Sequence, residues 1–339
     1  MIILGIETSC DETAVCFLEI KNERIKVRSN LISSQIKFHK KYGGVYPFLA
    51  KRLHEKNLPL LFERAKKEAR VETINLVGAT VRPGLEPCLW QGFNFGKKIA
   101  QKERVPLIGV NHLEAHILVN LLEKKILGDK IKKFLPGLCL VISGGHTNLF
   151  LMEEIGYYHS LGKTRDDAVG ECQDKIGRLL GFSYPAGPKI SAFLKKKRKK
   201  DVLKITLPRP MIHQKNFDFS FSGLKTAVFY EIQKRKKISL REKVAILKET
   251  LFSIRDVLIS KTERAIKIFQ PKSLFLGGGV IRDDFLRREF RKLEKREGIK
   301  VFIPKKENCT DNALMVAFTA YLRFQRHLPN LKISAKEDI

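Results

Sequence analysis

Apolar residues fall into two recurring patterns along the chain. Short runs at 2–6, 14–20, 76–81, 106–110, 138–142, 147–153, 273–276 and 300–303 are bounded by Gly, Pro or small polar residues, which predicts buried strands. Longer amphipathic stretches predict helices at 48–70, 88–104, 112–123, 165–181, 187–197, 240–268, 283–295 and 311–326. In the first of these Leu49, Leu53, Leu60, Leu61 and Ala65 lie near one face. The segment Phe217-Asp-Phe-Ser-Phe-Ser-Gly-Leu-Lys225 alternates apolar and polar residues, which suggests a strand leading into a loop. Residues 328–339 are polar and are expected to fray.

A strand–polar turn–strand unit opens each half of the chain, with the turns at Glu7-Thr-Ser-Cys-Asp11 and Ser143-Gly-Gly-His146. Helices alternating with strands follow each one. The pattern predicts a duplicated βββαβαβα lobe of α/β class.

Charge narrows the function. Lys and Arg total 65 against 36 Asp and Glu, a net charge of +29, and the pI is near 9.9. Such an excess points to a polyanionic partner, nucleic acid first. Basic runs stand at 130–133, 195–200 and 234–237. Their plainer reading is a solvated face. If the six cations at 195–200 all met phosphates, the salt slope of binding would approach about −5. The chain carries no RRM, KH or C₂H₂ signature, so shape and backbone recognition is expected.

The six cysteines are scattered and form no C-x-x-C, which fits a reducing compartment and excludes a disulfide scaffold or zinc ribbon. No apolar run approaches the length of a membrane span. The first residues lack a basic region and a cleavage site, so a cytoplasmic location is expected, without a membrane partner.

The sharpest chemistry lies in Asn111-His-Leu-Glu-Ala-His116. His112 and His116, at i and i+4 on a predicted helix, share one face and can chelate one metal. Imidazole suits zinc or iron. Glu114 is two residues past the first His, roughly 200° around the helix, so the H-E-x-x-H protease arrangement is excluded and a packing role is expected. The best third ligand is Asp311 in Asn308-Cys-Thr-Asp-Asn-Ala313, whose plainer role is a helix N-cap. The turns Ser143-Gly-Gly-His146 and Gly277-Gly-Gly-Val280 can bring backbone N–H groups to a phosphate. Asp174 can accept from a ribose or substrate hydroxyl, or else cap a helix.

Seven segments together resemble the TsaD family (also Gcp or YgjD): Gly5-Ile-Glu-Thr-Ser-Cys-Asp-Glu-Thr-Ala14, Tyr42-Gly-Gly-Val45, Asn111-His-Leu-Glu-Ala-His116, Ser143-Gly-Gly-His-Thr147, Asp166-Asp-Ala-Val-Gly-Glu171, Phe219-Ser-Phe-Ser-Gly-Leu-Lys225 and Cys309-Thr-Asp-Asn-Ala313. They occur in family order over nearly the whole chain. The resemblance implies an actin/Hsp70/sugar-kinase-like (ASKHA) fold of two RNase H-like lobes with the active site in the cleft between them. It implies lobes at 1–118 plus 315–339 and at 119–314. It makes His112, His116 and Asp311 ligands of one Fe(2+) or Zn(2+). It places a threonylcarbamoyl-AMP substrate against Val141, Ile142, Ser143, Gly144, Gly145, Asp174, Gly187 and Asp283, at the helix start after Gly279. The implied reaction transfers threonylcarbamoyl to N6 of A37 in ANN-decoding tRNAs, with TsaB and TsaE as partners.

The chain departs from the family pattern in places. Asp283 replaces an Asn, Arg82-Pro-Gly84 a Gly-Pro-Gly, and Tyr184-Pro-Ala-Gly-Pro188 a Tyr-Pro-Gly-Gly-Pro. The Glu that follows Val-Val-Pro in the family is replaced at Tyr46-Pro-Phe48.

An exocyclic amine is a weak nucleophile, so an activated acyl donor and a Lewis acid suit the reaction. His146 and Asp11 are the candidates for a general base. The rival readings are an ATPase or kinase of the same fold, and a non-catalytic tRNA-binding subunit. A kinase wants Mg²⁺ on oxygen ligands, which a His-His-Asp set does not supply.

Overall fold

The structure is a computed structural model that describes residues 1–196, 203–335 and 339. It divides into two units. The first comprises Met1–Lys133, Met152–Tyr158 and Pro304–Ile339; the second comprises Phe134–Leu151 and His159–Ile303.

The first unit is built on β1 (Ile2–Glu7), β2 (Glu12–Lys21), β3 (Arg24–Ser34), β4 (Leu76–Arg82) and β5 (Leu107–Asn111), in sheet order β3-β2-β1-β4-β5. β2 runs antiparallel to β1 and β3, while β4 and β5 extend the sheet in parallel. Its helices are α1 (Ile36–His39), α2 (Pro47–Ala69), α3 (Glu86–Glu103) and α4 (His112–Glu123). Leu4, Ile6, Val15, Phe17, Val77 and Ala79 pack with Leu58 and Ala65 of α2 and Ala100 of α3. The last helix of the chain also packs on this sheet. A Cβ on Gly5 would lie 2.2 Å from the Ala313 carbonyl and 2.7 Å from the Ala317 nitrogen, and one on Gly78 would lie 2.4 Å from the Ala320 Cβ. Hydrogen at these two positions admits the helix backbone.

The second unit contains β6 (Gly137–Ile142), β7 (Thr147–Glu154, whose last residues belong to the first unit), β8 (Tyr157–Lys163), α5 (Val169–Leu179), α6 (Gly187–Lys195), α7 (Ser222–Gln233), α8 (Leu240–Phe269), β9 (Ser273–Gly277), α9 (Asp284–Glu297) and β10 (Lys300–Phe302). α10 (Ala313–Gln325) is the helix on the first sheet. The second sheet has the order β10-β9-β6-β7-β8. Counted from β6, this repeats the order of the first sheet, so the duplicated lobe predicted from the paired turns is present. β6, β9 and β10 are parallel.

Several elements differ from expectation. The third strand of each lobe is at a sheet edge and is rich in polar residues, which hides it from an apolar-run reading. The helix expected at 165–181 begins only at Val169. The segment 217–225 is not a strand: it makes one isolated bridge at Phe219, then becomes α7. The reason is Asp166, whose carboxylate accepts the Phe221 and Ser222 N–H groups at 2.8 and 3.2 Å and both the Ser220 and Ser222 hydroxyls at 2.6 Å. This holds the start of the helix.

The units also divide at residues other than 118/119 and 314/315. Glu123, at the end of α4, accepts the Lys305 N–H at 2.8 Å and the Asn308 amide at 2.7 Å, which ties the approach to α10 to the first unit. The tail is anchored rather than frayed as far as Ser334. Asn330 accepts from Gly109 N–H at 2.6 Å and donates to Leu107 at 2.9 Å, and Ser334 N–H donates to the Val81 carbonyl at 3.0 Å. Among the described residues no helix is long and apolar enough to cross a membrane.

Candidate metal centre and nucleotide-binding turn

The metal candidate lies wholly in the first unit. Asn111 ends β5 and caps α4, its side chain accepting the Leu113 and Glu114 N–H groups at 2.8 and 3.2 Å. That cap places His112 and His116 one turn apart with both rings buried. Asp311 is not the cap of α10. Asn312 caps it, accepting from Met315 N–H at 3.1 Å, which leaves the Asp311 carboxylate for other work. Asp311 Oδ1 lies 3.4 Å from His112 Nε2 and 3.2 Å from His116 Nε2. The donor atoms of the three residues fall within 4.8 Å of one another.

Glu7 and Ser9, to which the sequence reading gave no role, complete the centre. Glu7 Oε2 lies 3.0 Å from His112 Nδ1, and Glu7 also accepts from Ser9 N–H at 2.6 Å and the Thr80 hydroxyl at 2.7 Å. The Ser9 hydroxyl is 3.3 Å from the same imidazole nitrogen. The available signal was an acid at the end of a buried strand.

This arrangement tests the fit of a metal. A neutral His112 that donates from Nδ1 to Glu7 turns the Nε2 lone pair toward the Asp311 oxygen. Two lone pairs facing each other in a buried site demand a cation between them, either a proton or a metal ion. Without a metal the proton takes that place: burial pushes His112 down, but Asp311 and Glu7 outweigh it and hold it well above the usual range. Burial lifts Asp311, and His112 and His116 then pull it well below an ordinary carboxylate. Glu7 likewise ends low because His112 offsets its burial. His116 is lowered, chiefly by burial. Burial, with Asp311 and Asp11, raises Glu12 to about 10, and burial also raises Asp11. Two imidazoles and a carboxylate, ringed by further acids, form a donor set that suits a divalent ion.

Glu114 points away, as its position on the helix requires. It accepts from Arg323 at 2.9 Å and from the Tyr158 hydroxyl at 3.1 Å, a buried structural network.

The remaining predicted residues, Asp11 apart, are in the second unit. Val141 and Ile142 end the buried β6, with Val141 paired to Gly277. Ser143 N–H donates to the His146 carbonyl at 2.8 Å, and the Ser143 carbonyl accepts from Gly170 N–H at 3.1 Å. His146 N–H donates to the Ser143 hydroxyl at 3.0 Å, with the imidazole Nδ1 3.4 Å from the same oxygen. A Cβ on Gly144 or Gly145 would meet nothing within 4 Å, and both glycines are exposed. The fold leaves the space beside them open. Gly278, at φ +90°, is different: a Cβ there would strike the Ile142 carbonyl at 2.3 Å.

Asp174 accepts from Ala186 N–H at 2.5 Å and so holds the start of α6, where Gly187 stands. Burial raises its carboxyl, against the pull of the Ala186 and Gly187 amides. Asp283 caps α9, accepting from Phe285 and Leu286 N–H at 2.8 and 3.1 Å, and also accepts the Ser191 hydroxyl of α6. Asp283 and Ser191 therefore link the start of α9 to α6, and Asp174 links α5 to the start of α6, while the turn after β6 bonds to α5 through Gly170. His146 belongs to the second unit and Asp11 to the first.

The basic runs are partly self-paired. Lys130 meets Glu23, Lys132 meets Asp129, Lys234 meets Glu231, and Arg235 meets Glu231 and Glu242. Lys195 pairs with Asp284, while 197–200 lie outside the described residues.

The family model described as tRNA N6-adenosine threonylcarbamoyltransferase matches residues 26–318. The chain belongs to the TsaD family. It is 41% identical over 345 residues to the tRNA N6-adenosine threonylcarbamoyltransferase of Thermosipho africanus, covering 98% of this chain and all of that one. It is 44% identical over 330 residues to the enzyme of the same name from Persephonella marina, covering 96% and 91%. In fold it is similar to T. kodakarensis HypF, with a TM-score of 0.62 at 15% identity over 97% of this chain and 48% of that chain. A full-length HypF in a phosphate- and nucleotide-bound form gives a TM-score of 0.55 at 14% identity, over 96% of this chain and 46% of that one. The chain is thus a TsaD-family transferase of ASKHA fold that acts in t6A modification of tRNA.

Proposed function

We propose that this TsaD-family chain transfers the threonylcarbamoyl group from threonylcarbamoyl-AMP to N6 of adenosine 37 in ANN-decoding tRNAs, releasing AMP. The observation that carries this reading is the convergence of the buried His112 and His116 Nε2 atoms and the half-buried Asp311 Oδ1 on one point. When bound there, an iron(II) or zinc(II) ion supplies Lewis acidity to the donor carbonyl. The chain's own residues do the rest. Glu7 fixes the His112 ring and its tautomer. Beside Gly144 and Gly145 no atom lies within 4 Å of a Cβ position, which leaves room for an adenylate phosphate to approach this turn, where backbone donors would stabilise the charge that develops as AMP leaves. Asp174 and Asp283 set the starts of α6 and α9, and these helix starts would receive the nucleoside. His146 and Asp11 are the groups available to take the N6 proton. The net charge of +29 supports tRNA as substrate, the lack of a membrane-crossing helix among the described residues fits a cytoplasmic enzyme, and TsaB and TsaE are the expected partners.

The test incubates purified protein with threonylcarbamoyl-AMP and an unmodified ANN-decoding tRNA, with and without TsaB and TsaE homologues. The digested tRNA is then read by mass spectrometry. Modified adenosine with wild type and none with His116→Ala supports the assignment. No product under any condition, with ATP turnover indifferent to His116→Ala, transfers the assignment to an ATPase or kinase of this fold. Product that forms equally with His116→Ala removes the metal from the reaction.

A further inference from the structure

The segment between Gln35 and His54 has a composition the fold does not explain. It contains Lys37, Lys40, Lys41, Lys51 and Arg52 and no acid. Between the cations stand Phe38, Tyr42, Tyr46 and Phe48, which are 40%, 52%, 50% and 65% exposed. The rings are arranged in relation to the charges: Lys37 Nζ lies 4.9 Å from the centroid of Phe38, Lys41 Nζ lies 4.9 Å from that of Tyr42, and Tyr42 stacks on Tyr46 at 5.4 Å and 24°. Phe48, the most exposed of these rings, stands where the family pattern has the Glu that follows Val-Val-Pro.

The strip is tied to the metal-bearing side of the first unit. Tyr46 N–H donates to Nδ1 of the buried His39 at 3.3 Å, His39 Nε2 meets Gln35 Oε1 at 3.1 Å, and Gln35 N–H donates to the Asp11 carbonyl at 2.9 Å. Asp11 closes the turn that carries Glu7 and Ser9.

We propose that this aromatic and basic strip is a stacking surface for unpaired bases of the tRNA anticodon loop. The proposal rests on the tRNA reading above. Protein-docking faces are depleted in lysine at their centre. Single-stranded nucleic acid instead selects cations interleaved with open aromatic faces, the bases stacking on the rings and the phosphates meeting the lysines.

The experiment measures binding of a labelled unmodified anticodon stem-loop RNA and of a blunt RNA duplex of equal length. It uses wild type, the triple variant Tyr42→Ala/Tyr46→Ala/Phe48→Ala, the conservative pair Tyr42→Phe/Tyr46→Phe, and Lys40→Gln/Lys41→Gln. Losing the rings weakens stem-loop binding about ten-fold or more and leaves duplex binding unchanged. The Phe pair binds as wild type, because stacking does not need the hydroxyl. The Lys pair lowers the salt slope by about 1.4, at roughly 0.7 per phosphate. Phe48→Ala alone, at the most exposed ring, gives a several-fold loss and carries the test if the triple variant does not fold. Stem-loop binding that is the same in wild type and folded aromatic variants overturns the proposal. So does unchanged RNA binding alongside loss of a protein–protein association. Transfer is scored separately. Normal t6A formation with aromatic-independent binding sinks only this surface, whereas aromatic-dependent binding with no transfer in wild type sinks only the proposed reaction.

Discussion

The two units share one strand order, yet the turn after the first strand of each has opposite chemistry. After β1 the chain places Glu7, Ser9 and Asp11, all buried, and uses Glu7 to hold an imidazole. After β6 it places Ser143, Gly144, Gly145 and His146, with the two glycines exposed to open space. The first turn gathers buried acids around an imidazole, and the second leaves open space beside two glycines. The same backbone frame serves both, so function follows from the few side chains placed on the turn.

The largest way to break this comparison is to remove a donor from the first turn's centre. His116→Ala should abolish bound metal and t6A formation while leaving adenylate binding by the second unit intact, checked by metal analysis, tRNA digestion and calorimetry with AMP. The mirror experiment is Gly144→Val. The fold has room for the side chain, so melting should hold within about 0.5 kcal/mol, and AMP affinity should fall while metal content stays at wild-type level. Equal loss of both ligands in either variant would erase the distinction between the turns.

The next effect is acid lability at His54 of α2, which bonds to the first turn. Burial holds His54 down at about 4, with its Nε2 2.9 Å from the Cys10 carbonyl and its Nδ1 2.8 Å from the Thr13 hydroxyl. The folded value lies below the ordinary one of about 6.5, so the stabilisation is present above pH 6.5 and is lost as pH falls through 4. The difference corresponds to about 3 kcal/mol. Thermal unfolding between these pH values should show the loss, and His54→Gln should flatten it.

Glu7→Gln should weaken metal binding about 10- to 100-fold without unfolding the protein, because it loosens the ring that the carboxylate orients. Equilibrium dialysis measures this. The smallest change expected is Asp283→Asn, which restores the residue of the family pattern. Asn and Asp cap helices equally well, so stability should move by less than about 0.5 kcal/mol, whereas Asp283→Ala should cost about 1 kcal/mol.

The parts most legible in the sequence were those where one physical rule dominates. Apolar runs located the strands β1, β4, β5, β6 and β9 to within a residue or two. Helical spacing placed His112 and His116 on one face. What the sequence concealed depended on partners far along the chain. β3 and β8 are polar edges whose strand character comes from pairing. α7 looks like alternating strand until Asp166, more than fifty residues earlier, caps its start. The local pattern gave Asp311 as an N-cap as readily as a ligand, and only the placement of Asn312 in that role frees it. Glu7 had no signal beyond an acid closing a buried strand, because its partner is His112, far away in the sequence.

The first unit closes only with α10 and the segment before it, which carries Asp311. A ribosome makes His112 and His116 well before Asp311, with the whole of the second unit between them. Domains fold as units during synthesis, so the second unit can form while the first still lacks a helix across its sheet. The His112, His116 and Asp311 triad thus becomes complete only after the second unit has been made, and a product truncated before residue 311 would fold in part without ever acquiring the centre.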